Sequence, residues 1–338
     1  MNRRMTTKRG SGFLRSCLFA GIAFLAGILI ACGTDNGSGS DLSNVTQVFA
    51  SGWEPEEGIR ISDPYAWNPD IVSVPGGYRM YFEQEASSGE HNIYSYFSAD
   101  GLTWDQDGGI RVAGANMVGS VKLPDGTVRL YFKSAGIVAT DGLLSAVSDD
   151  VNGLDFTLDE GIRLSLDAED EEGGIRHPCV VRLPDDTYQI FYDATDADEV
   201  YRIKTATSSD GLTWENKRVA VQPSDVMALG TPVLDVTSSP GAVVDGQGLI
   251  RVFFTVRGPN QLSIRKGMYM ATSTDGTTFT VLPGPIASEF SVDGSAYSPC
   301  DAAPVFTPEG LRVYYWVGSV DTGPLTGIYS MINRSITQ

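Results

Sequence analysis

The segment RMYFE at residues 79–83 recurs four more times along this chain of 338 residues. Each copy has a basic or amide residue, an aliphatic residue, two aromatic residues and a closing residue that varies. The other copies are RLYFK at 129–133, QIFYD at 189–193, RVFFT at 251–255 and RVYYW at 312–316. Successive closing residues lie 50, 60, 62 and 61 positions apart. A period of this size, with strand-forming residues and Gly/Pro turns in each copy, predicts a β-propeller or a similar array.

Each copy is typical of four short antiparallel strands, with the aromatic segment as the second. The third strand leads into a turn in which Asp bonds back to the backbone, Gly supplies positive φ and an aromatic fills the gap between blades. These turns are SADGLTW at 98–104, SSDGLTW at 208–214, STDGTTF at 273–279 and a degenerate SDDVNGLDF at 148–156. The fifth copy has no such turn, so we expect residues 45–49 to supply its outer strand and close the ring. The prediction is an all-β, five-bladed propeller over residues 44–338.

The N-terminus has the features of a targeting segment. Five basic residues precede an apolar run from about Cys17 to Ala31, which is short for a membrane span. The run ends Leu29-Ile30-Ala31-Cys32, which resembles the lipobox of bacterial lipoproteins. The resemblance implies removal of residues 1–31, lipidation of Cys32 and anchoring to a membrane outside the cytoplasm; an ordinary signal peptide or signal anchor is the alternative. Residues 32–43 are predicted to be a flexible tether.

The charge of the chain argues against several classes of partner. Without residues 1–31, the chain has 19 basic and 42 acidic residues, a net charge of −23. Such a surface is a poor match for nucleic acid or an anionic membrane, and suits a neutral or cationic ligand or bound calcium. Apart from Cys17 in the targeting segment and Cys32, only Cys179 and Cys300 remain; they could form a disulfide or stay buried as free thiols.

The repeats resemble those of known enzymes. The turn is similar to a shortened Asp-box of the sialidase type, a structural motif. The chain as a whole looks like the five-bladed propellers of glycoside hydrolase families 32, 43 and 68 and relatives such as family 130. The resemblance implies a carbohydrate ligand and, for hydrolysis, two carboxyl groups that flank the scissile bond. The sequence departs from the family motifs at Asn68-Pro69-Asp70, Arg176-His177-Pro178 and Gly230-Thr231-Pro232, where the families carry acids.

Strand direction predicts which residues share the functional rim. Neighbouring strands of a blade are antiparallel, so residues before each first strand and after each aromatic pair lie at one face. The first set is Asn68, Met117, His177, Ser239 and Asp301; the second is Glu83, Lys133, Asp193, Thr255 and Trp316. A funnel lined by carboxylates and an aromatic is suited to grip a sugar ring.

Three acids are candidate catalytic groups: Asp63, Glu83 and Asp193. Each has a structural alternative, as a turn residue or as an ion-pair partner. The candidate substrate-binding residues are Asn68, Asp70, Lys133, His177, Arg257, Asp301 and Trp316. A metal site at His177 has no supporting motif, so none is predicted; calcium in the channel, or at the acidic run 167–172, is a further possibility.

These observations leave three functions open. The leading interpretation is a monomeric, glycoside hydrolase-like surface lipoprotein that acts on glycosidic bonds through a carboxylate pair. The second is a propeller lipoprotein that binds glycan without cleaving it, with aromatics such as Trp67, Tyr297 and Trp316 in the funnel. The third is a protein-interaction scaffold.

Overall fold

The computed structural model describes residues 47–63, 65–86, 88–138, 141–166, 171–230, 236–257, 265–292, 295–318 and 325–338. These residues form five antiparallel sheets arranged as the blades of a propeller, which confirms the predicted fold class. The tether, the targeting segment and Cys32 lie outside the described residues. None of the helices within the described ranges is long and apolar enough to cross a membrane.

The strands follow the repeats. Strand β1 (Glu54–Pro55) belongs to the last blade. Blade one contains β2 (Trp67–Val74), β3 (Gly77–Glu85), β4 (His91–Ser98) and β5 (Asp105–Gln106), and β6 (Val112–Ala113) also pairs with β4. Blade two contains β7 (Ala115–Lys122), β8 (Val128–Ser134), β9 (Leu143–Ser148) and β10 (Phe156–Leu158). Blade three contains β11 (Gly174–Arg182), β12 (Tyr188–Thr195), β13 (Tyr201–Ser208) and β14 (Glu215–Val221), followed by the single turn of helix α1 (Pro223–Met227).

The last two blades complete the ring. Blade four contains β15 (Val236–Val244), β16 (Ile250–Arg257), β17 (Arg265–Ser273) and β18 (Thr280–Val281). Blade five contains β20 (Ser295–Thr307), β21 (Gly310–Gly318) and β22 (Gly327–Asn333), with β19 (Phe290–Val292) on the inner side of β20 and β1 outside β22.

Ring closure by the N-terminal part of the chain occurs, but with a different segment from the predicted one. The outer strand of blade five is β1, in which Glu54 pairs with Ile332 and Pro55 with Met331. Phe49 instead forms a bridge with Ala287 of the blade four to blade five connection. Because β1 occupies the outer edge of blade five, the prediction that residues 45–49 form this strand is wrong in its position; residues 45 and 46 themselves lie outside the described residues.

One aromatic contact recurs at every blade boundary and explains why the repeat motif carries aromatics. An aromatic of each second strand meets, edge to face, the aromatic that precedes or begins the outer strand of the next blade. The five pairs are Tyr81–Phe156, Tyr131–Trp214, Phe191–Phe279, Phe253–Trp53 and Tyr314–Trp104. Ring centroids in these pairs are 5.4 to 5.9 Å apart, a separation at which edge-to-face packing is favourable.

Each innermost strand also contains the same backbone irregularity. A β-bulge shifts the register in all five, and a non-glycine residue there adopts positive φ between 46° and 53°. The five residues are Asn68, Met117, His177, Ser239 and Asp301, the first of the two predicted rim sets. Bulges re-aim side chains, and positive φ costs roughly 1–3 kcal/mol for a residue other than glycine, so the fold stabilises this conformation elsewhere.

Candidate functional site

The bulged residues surround a funnel at the centre of the propeller. A cavity of about 310 Å³ is lined by Trp67, Asn68, His177, Tyr201, Ser238, Ser239, Asp301 and Trp316. A second cavity, of about 20 Å³, shares four of these residues and reaches Asp70 and Cys179 along the first strands. The smaller space is large enough for about one water molecule and too small for a sugar. The funnel is therefore the part of this channel that a ligand of sugar size can occupy.

Glu83 lies behind the funnel and not in it. Its side chain is 4% exposed. Oε2 accepts hydrogen bonds from the Asn68 side-chain amide at 2.7 Å and from the Met117 backbone N–H at 3.0 Å. Oε1 lies 2.8 Å from Nδ1 of His91. Both oxygens are occupied, so this carboxylate fixes Asn68 and the bulge of the next blade.

Asp193 has the same place in blade three. It is fully buried, and Oδ1 lies 2.6 Å from Nδ1 of His177 and 3.3 Å from the backbone N of Ser239, the bulged residue of blade four. Its second oxygen, Oδ2, is buried and has no hydrogen bond among the described residues. Like Glu83, Asp193 does not line the funnel.

The pairing with Asp193 sets the charge and orientation of His177. Burial by itself lowers the pKa of His177, but the charge and hydrogen bond of Asp193, with the charges of Asp301 and Glu83, raise the pKa above its usual value. Because Nδ1 is held by Asp193, Nε2 is the ring nitrogen left for the funnel, and it has no hydrogen bond in the described part of the chain.

Asp301 is the acid that does line the funnel. It borders both cavities and is 9% exposed. Within the described ranges, its carboxylate has neither a hydrogen-bond donor nor a salt-bridge partner. A carboxylate that is withdrawn from water without a partner costs free energy. A ligand group that pairs with Asp301 would therefore increase the binding affinity.

Asp70 lies deeper, in the narrow part of the channel. Its Oδ2 accepts hydrogen bonds from the backbone N–H of Ser120 and, at 2.7 Å, from the Ser120 hydroxyl. Burial raises the pKa of Asp70 to about 7, although both bonds from Ser120 and the Ile71 backbone lower it. The group is positioned to bind a water or to brace the channel, and a sugar does not reach it.

Two further candidates, Asp63 and Lys133, are not part of the funnel lining. Asp63 forms a turn with the backbone N–H of Tyr65 at 2.9 Å and accepts from Gln84 at 3.0 Å. Lys133 lies 3.8 Å from Asp141. Arg257 ends β16, and its side chain lies outside what the structure describes.

The aromatic part of the funnel is larger than the sequence indicated. Trp67 and Trp316 line it, as expected for sugar binding, and Tyr201 of blade three joins them. Arg176 stacks on Tyr201, with its guanidinium 4.9 Å from the ring centre, and donates to the tyrosine hydroxyl. Tyr297 is instead buried and stacks on Phe290 in the β19–β20 hairpin, so it does not face the funnel.

Metal and thiol chemistry have little support among the described residues. No group of three or more His, Cys, Asp or Glu there is arranged to hold a metal ion. Residues 167–170 of the acidic run lie outside the described part, and Glu171 is buried in ion pairs with Lys204 and Lys217. Cys179 and Cys300 are both buried and do not form a disulfide, and burial raises the pKa of Cys179.

Comparison with known proteins identifies the fold. No protein-family model matches the sequence, and no curated protein matches it. A thermostable family-43 glycoside hydrolase superposes with a TM-score of 0.60 at 14% identity, covering 79% of this chain and 88% of that one. An endo-1,4-β-xylanase from Bacteroides thetaiotaomicron gives 0.60 at 11% identity, covering 81% and 92%. An endo-arabinase from the same organism gives 0.58 at 15% identity, covering 82% and 97%. The chain thus has the five-bladed propeller fold of these glycoside hydrolases.

Proposed function

We propose that this protein binds carbohydrate in the funnel without hydrolysing it. The observation that carries the proposal is the composition of the funnel wall: Trp67, Tyr201 and Trp316 surround a floor of hydrogen-bonding groups. Flat aromatic faces pack against the C–H faces of sugar rings, and the polar groups select the hydroxyl pattern. The floor offers Asn68, His177, Ser239 and Asp301, all at fixed, bulged positions.

The burial of Glu83 and Asp193 is the reason to favour binding over hydrolysis. Glycoside hydrolysis needs one carboxyl group to protonate the leaving oxygen and a second to attack or to activate water, both in contact with the substrate. Glu83 has both oxygens occupied, and Asp193 is fully buried beneath His177. Among the described residues that line the funnel, Asp301 provides the one carboxylate, and Asp70 is confined to the narrow channel.

The test measures binding and turnover on the same panel. The full-length protein, purified in detergent micelles, is titrated with plant, algal and microbial oligosaccharides by calorimetry, and reducing ends are assayed after long incubation. We expect saturable binding of at least one glycan class and no reducing-end release. Trp316→Ala should weaken binding about tenfold, because it removes one aromatic face.

The matched control is Leu158→Ala, which truncates an exposed side chain of the outer strand β10. It should leave binding unchanged. Thermal unfolding of both variants separates loss of the site from loss of the fold. Turnover by the wild-type chain that disappears in Glu83→Gln or Asp193→Asn would contradict the proposal and restore the carboxylate-pair mechanism. Absence of binding to every glycan would contradict it as well.

We also propose that the chain is anchored outside the cytoplasm through Cys32. The proposal rests on the basic residues, the short apolar run and the Leu-Ile-Ala-Cys sequence at 29–32. A tethered glycan-binding propeller at a cell surface would hold polysaccharide close to the cell.

A further inference from the structure

We propose that the sugar unit at the funnel floor carries an ammonium group, as in a hexosamine whose nitrogen is not acetylated, and that Asp301 pairs with it. The inference rests on the proposed function, since it names the class of glycan that the same funnel binds. Two observations lead to it: the carboxylate at the floor, which has no hydrogen bond or ion pair with the residues that the structure describes, and the aromatic walls beside it.

The charge balance of the floor comes first. Asp193 is compensated by His177 at 2.6 Å, and Glu83 is compensated by hydrogen bonds from His91, Asn68 and the Met117 N–H. Asp301 has no such partner within the described residues. With His177 protonated, its charge is matched by Asp193, so at least one negative charge remains at the floor. An anionic sugar such as a uronate would be repelled there.

Two described cations at or beside the predicted rim are held elsewhere. Arg176, the neighbour of His177, donates to the hydroxyl of Tyr201, to the Gly173 carbonyl and to Thr195. Lys133 lies near Asp141. Neither forms an ion pair with Asp301 in the part of the chain that the structure describes. Because no arginine or lysine side chain that the structure describes pairs with Asp301, an ammonium group of the ligand can take that place.

The aromatic walls favour the same ligand chemistry. The rings of Trp67, Tyr201 and Trp316 line the cavity that Asp301 borders. An ammonium group is attracted to the face of an aromatic ring, most strongly to tryptophan, and more so when it is withdrawn from water. A neutral sugar gains binding free energy only from stacking on the rings. An amino sugar gains it from stacking, from the attraction of its ammonium group to the aromatic faces and from the ion pair with Asp301.

Three oligosaccharides with the same backbone isolate the contribution of the ammonium group. The β-1,4-linked tetramers of glucosamine, N-acetylglucosamine and glucose differ only at C2, where they carry an ammonium, an acetamide or a hydroxyl. In mildly acidic buffer we expect the full-length protein in detergent micelles to bind the glucosamine tetramer at least tenfold more tightly than the glucose tetramer, as for a charged hydrogen bond in a buried site. The preference should fall as salt is added.

Asp301→Asn removes the charge and keeps the shape, and Asn tolerates the positive φ at this position. The variant should bring the ratio of the two affinities to about one while the affinity for the glucose tetramer changes less than twofold. Glu57→Gln is the control for total charge, because Glu57 is exposed and does not line the funnel. It should retain the preference.

The possible results separate this inference from the proposed function. Equal or tighter binding of the glucose tetramer, or a preference that survives Asp301→Asn, would overturn the ammonium assignment while glycan binding stands. If the protein binds a neutral glycan from the wider panel but none of the three tetramers, the ammonium assignment is likewise overturned and glycan binding stands. Choline, a quaternary ammonium without a sugar, is the last probe: choline binding with no glycan binding would overturn both proposals.

Discussion

At the scale of single residues, the position of Trp316 in the funnel wall depends on a glycine, Gly318, that leaves room for its ring. A Cβ built on Gly318 would lie 1.7 Å from the Trp316 ring, so the indole occupies the space that a side chain at 318 would need. Gly318→Ala should therefore displace the indole without a penalty in φ. We expect about a fivefold loss of glycan affinity and a changed near-UV signal from tryptophan, with little change in melting temperature.

Gly108→Ala is the matched control for this prediction. Nothing lies within 4 Å of a Cβ at Gly108, and its φ is not in the left-handed region. That variant should bind as the wild-type protein does. If Gly318→Ala binds glycan with unchanged affinity, Trp316 is not a ligand contact and the funnel wall has been assigned wrongly.

The His177–Asp193 pair predicts a measurable titration. Asp193 raises the pKa of His177, so Asp193→Asn should lower it, which NMR of the imidazole ring can follow. A histidine whose pKa is raised in the folded state adds stability below the unfolded pKa of about 6.5. This contribution is lost as the pH rises through the folded pKa, and the variant should lack that part of the pH dependence.

His91 is the internal reference for this titration, because it is the only other histidine. It pairs with Glu83 in blade one and not with Asp193, so the chemical shifts of its ring at a fixed pH should be unchanged in Asp193→Asn. A pKa of His177 that is unaffected by the substitution would mean that the 2.6 Å contact is absent in solution.

The raised pKa of Asp70 predicts that the free energy of unfolding changes with pH over a defined range. Its pKa is about 7 when folded and about 3.9 when unfolded, so the unfolded chain loses the proton first. The contribution of Asp70 is most favourable below about pH 4, falls as the pH rises to about 7, and is constant above that. The full change is roughly 4 kcal/mol.

Asp70→Asn removes this titration, so denaturant unfolding at about pH 4 and about pH 8 should show a smaller difference than in the wild-type protein. Glu215→Gln is the control, since Glu215 is exposed and has no ion pair among the described residues. A pH dependence in Asp70→Asn that equals that of the wild-type protein would show that burial does not raise the pKa of Asp70 in the folded state.

The sequence predicted which residues lie at the rim, but not which of their side chains are buried and which face the funnel. Aligning the repeats on their turns predicted the five bulged positions, because one turn geometry places the preceding strand in the same way in each blade. Burial of Glu83 and Asp193 was not predictable from the acids alone. A signal exists, however: in the two blades with an acid at the end of the second strand, the bulge carries Asn68 or His177, whose side-chain nitrogen can bond to that acid.

At the scale of elements, the closing strand β1 shows how a weak strand pattern is overridden by tertiary contacts. Glu54 and Pro55 have low strand propensity, and residues 45–49 have the better pattern. The useful signal was the dipeptide: Trp53-Glu54 repeats the aromatic and acid of Trp104-Asp105 and Trp214-Glu215, each of which begins an outer strand. Trp53 then packs on Phe253, as its counterparts pack on their neighbours.

Glu56 fixes this strand and predicts a large loss of stability when it is removed. Its two oxygens accept from Arg312, at 2.8 and 2.9 Å, and from the Ser330 hydroxyl at 2.7 Å. Arg312 is 1% exposed, and Glu309 is its other acidic partner. Glu56→Ala leaves much of a buried guanidinium uncompensated, so we expect about 3 kcal/mol of destabilisation in denaturant unfolding.

Glu57→Ala provides the comparison one residue away. The side chain of Glu57 is exposed and has no ion pair in the described part of the chain, so its removal should change the free energy of unfolding by less than about 0.5 kcal/mol. Similar values for the two variants would mean that Glu56 does not secure the ring.

At the scale of the whole molecule, the propeller is held by a contact that repeats at every blade boundary. Tyrosine hydroxyls add to the aromatic pairs at three of them: Tyr81 donates to the Gly153 carbonyl, Tyr131 to Gly211 and Tyr314 to Gly101. The aromatic residues and the turn glycines of the repeat meet in these bonds, which is why the repeat alone was sufficient to predict the fold. The ligand was not predictable in this way, because it depends on the residues that differ between blades.

The N-terminal segment predicts where the molecule acts. If Cys32 is lipidated, the full-length protein expressed in a bacterial host should partition into the membrane fraction and incorporate labelled fatty acid. Cys32→Ser should abolish the label, because the lipid is attached through the thiol. The variant should also be lost from the membrane fraction, because it has no lipid anchor. Cys300→Ser, at a buried cysteine of blade five, is the control and should keep the label. Fatty-acid incorporation that persists in Cys32→Ser would place the anchor elsewhere, and absence of label in the wild-type chain would favour an ordinary signal peptide.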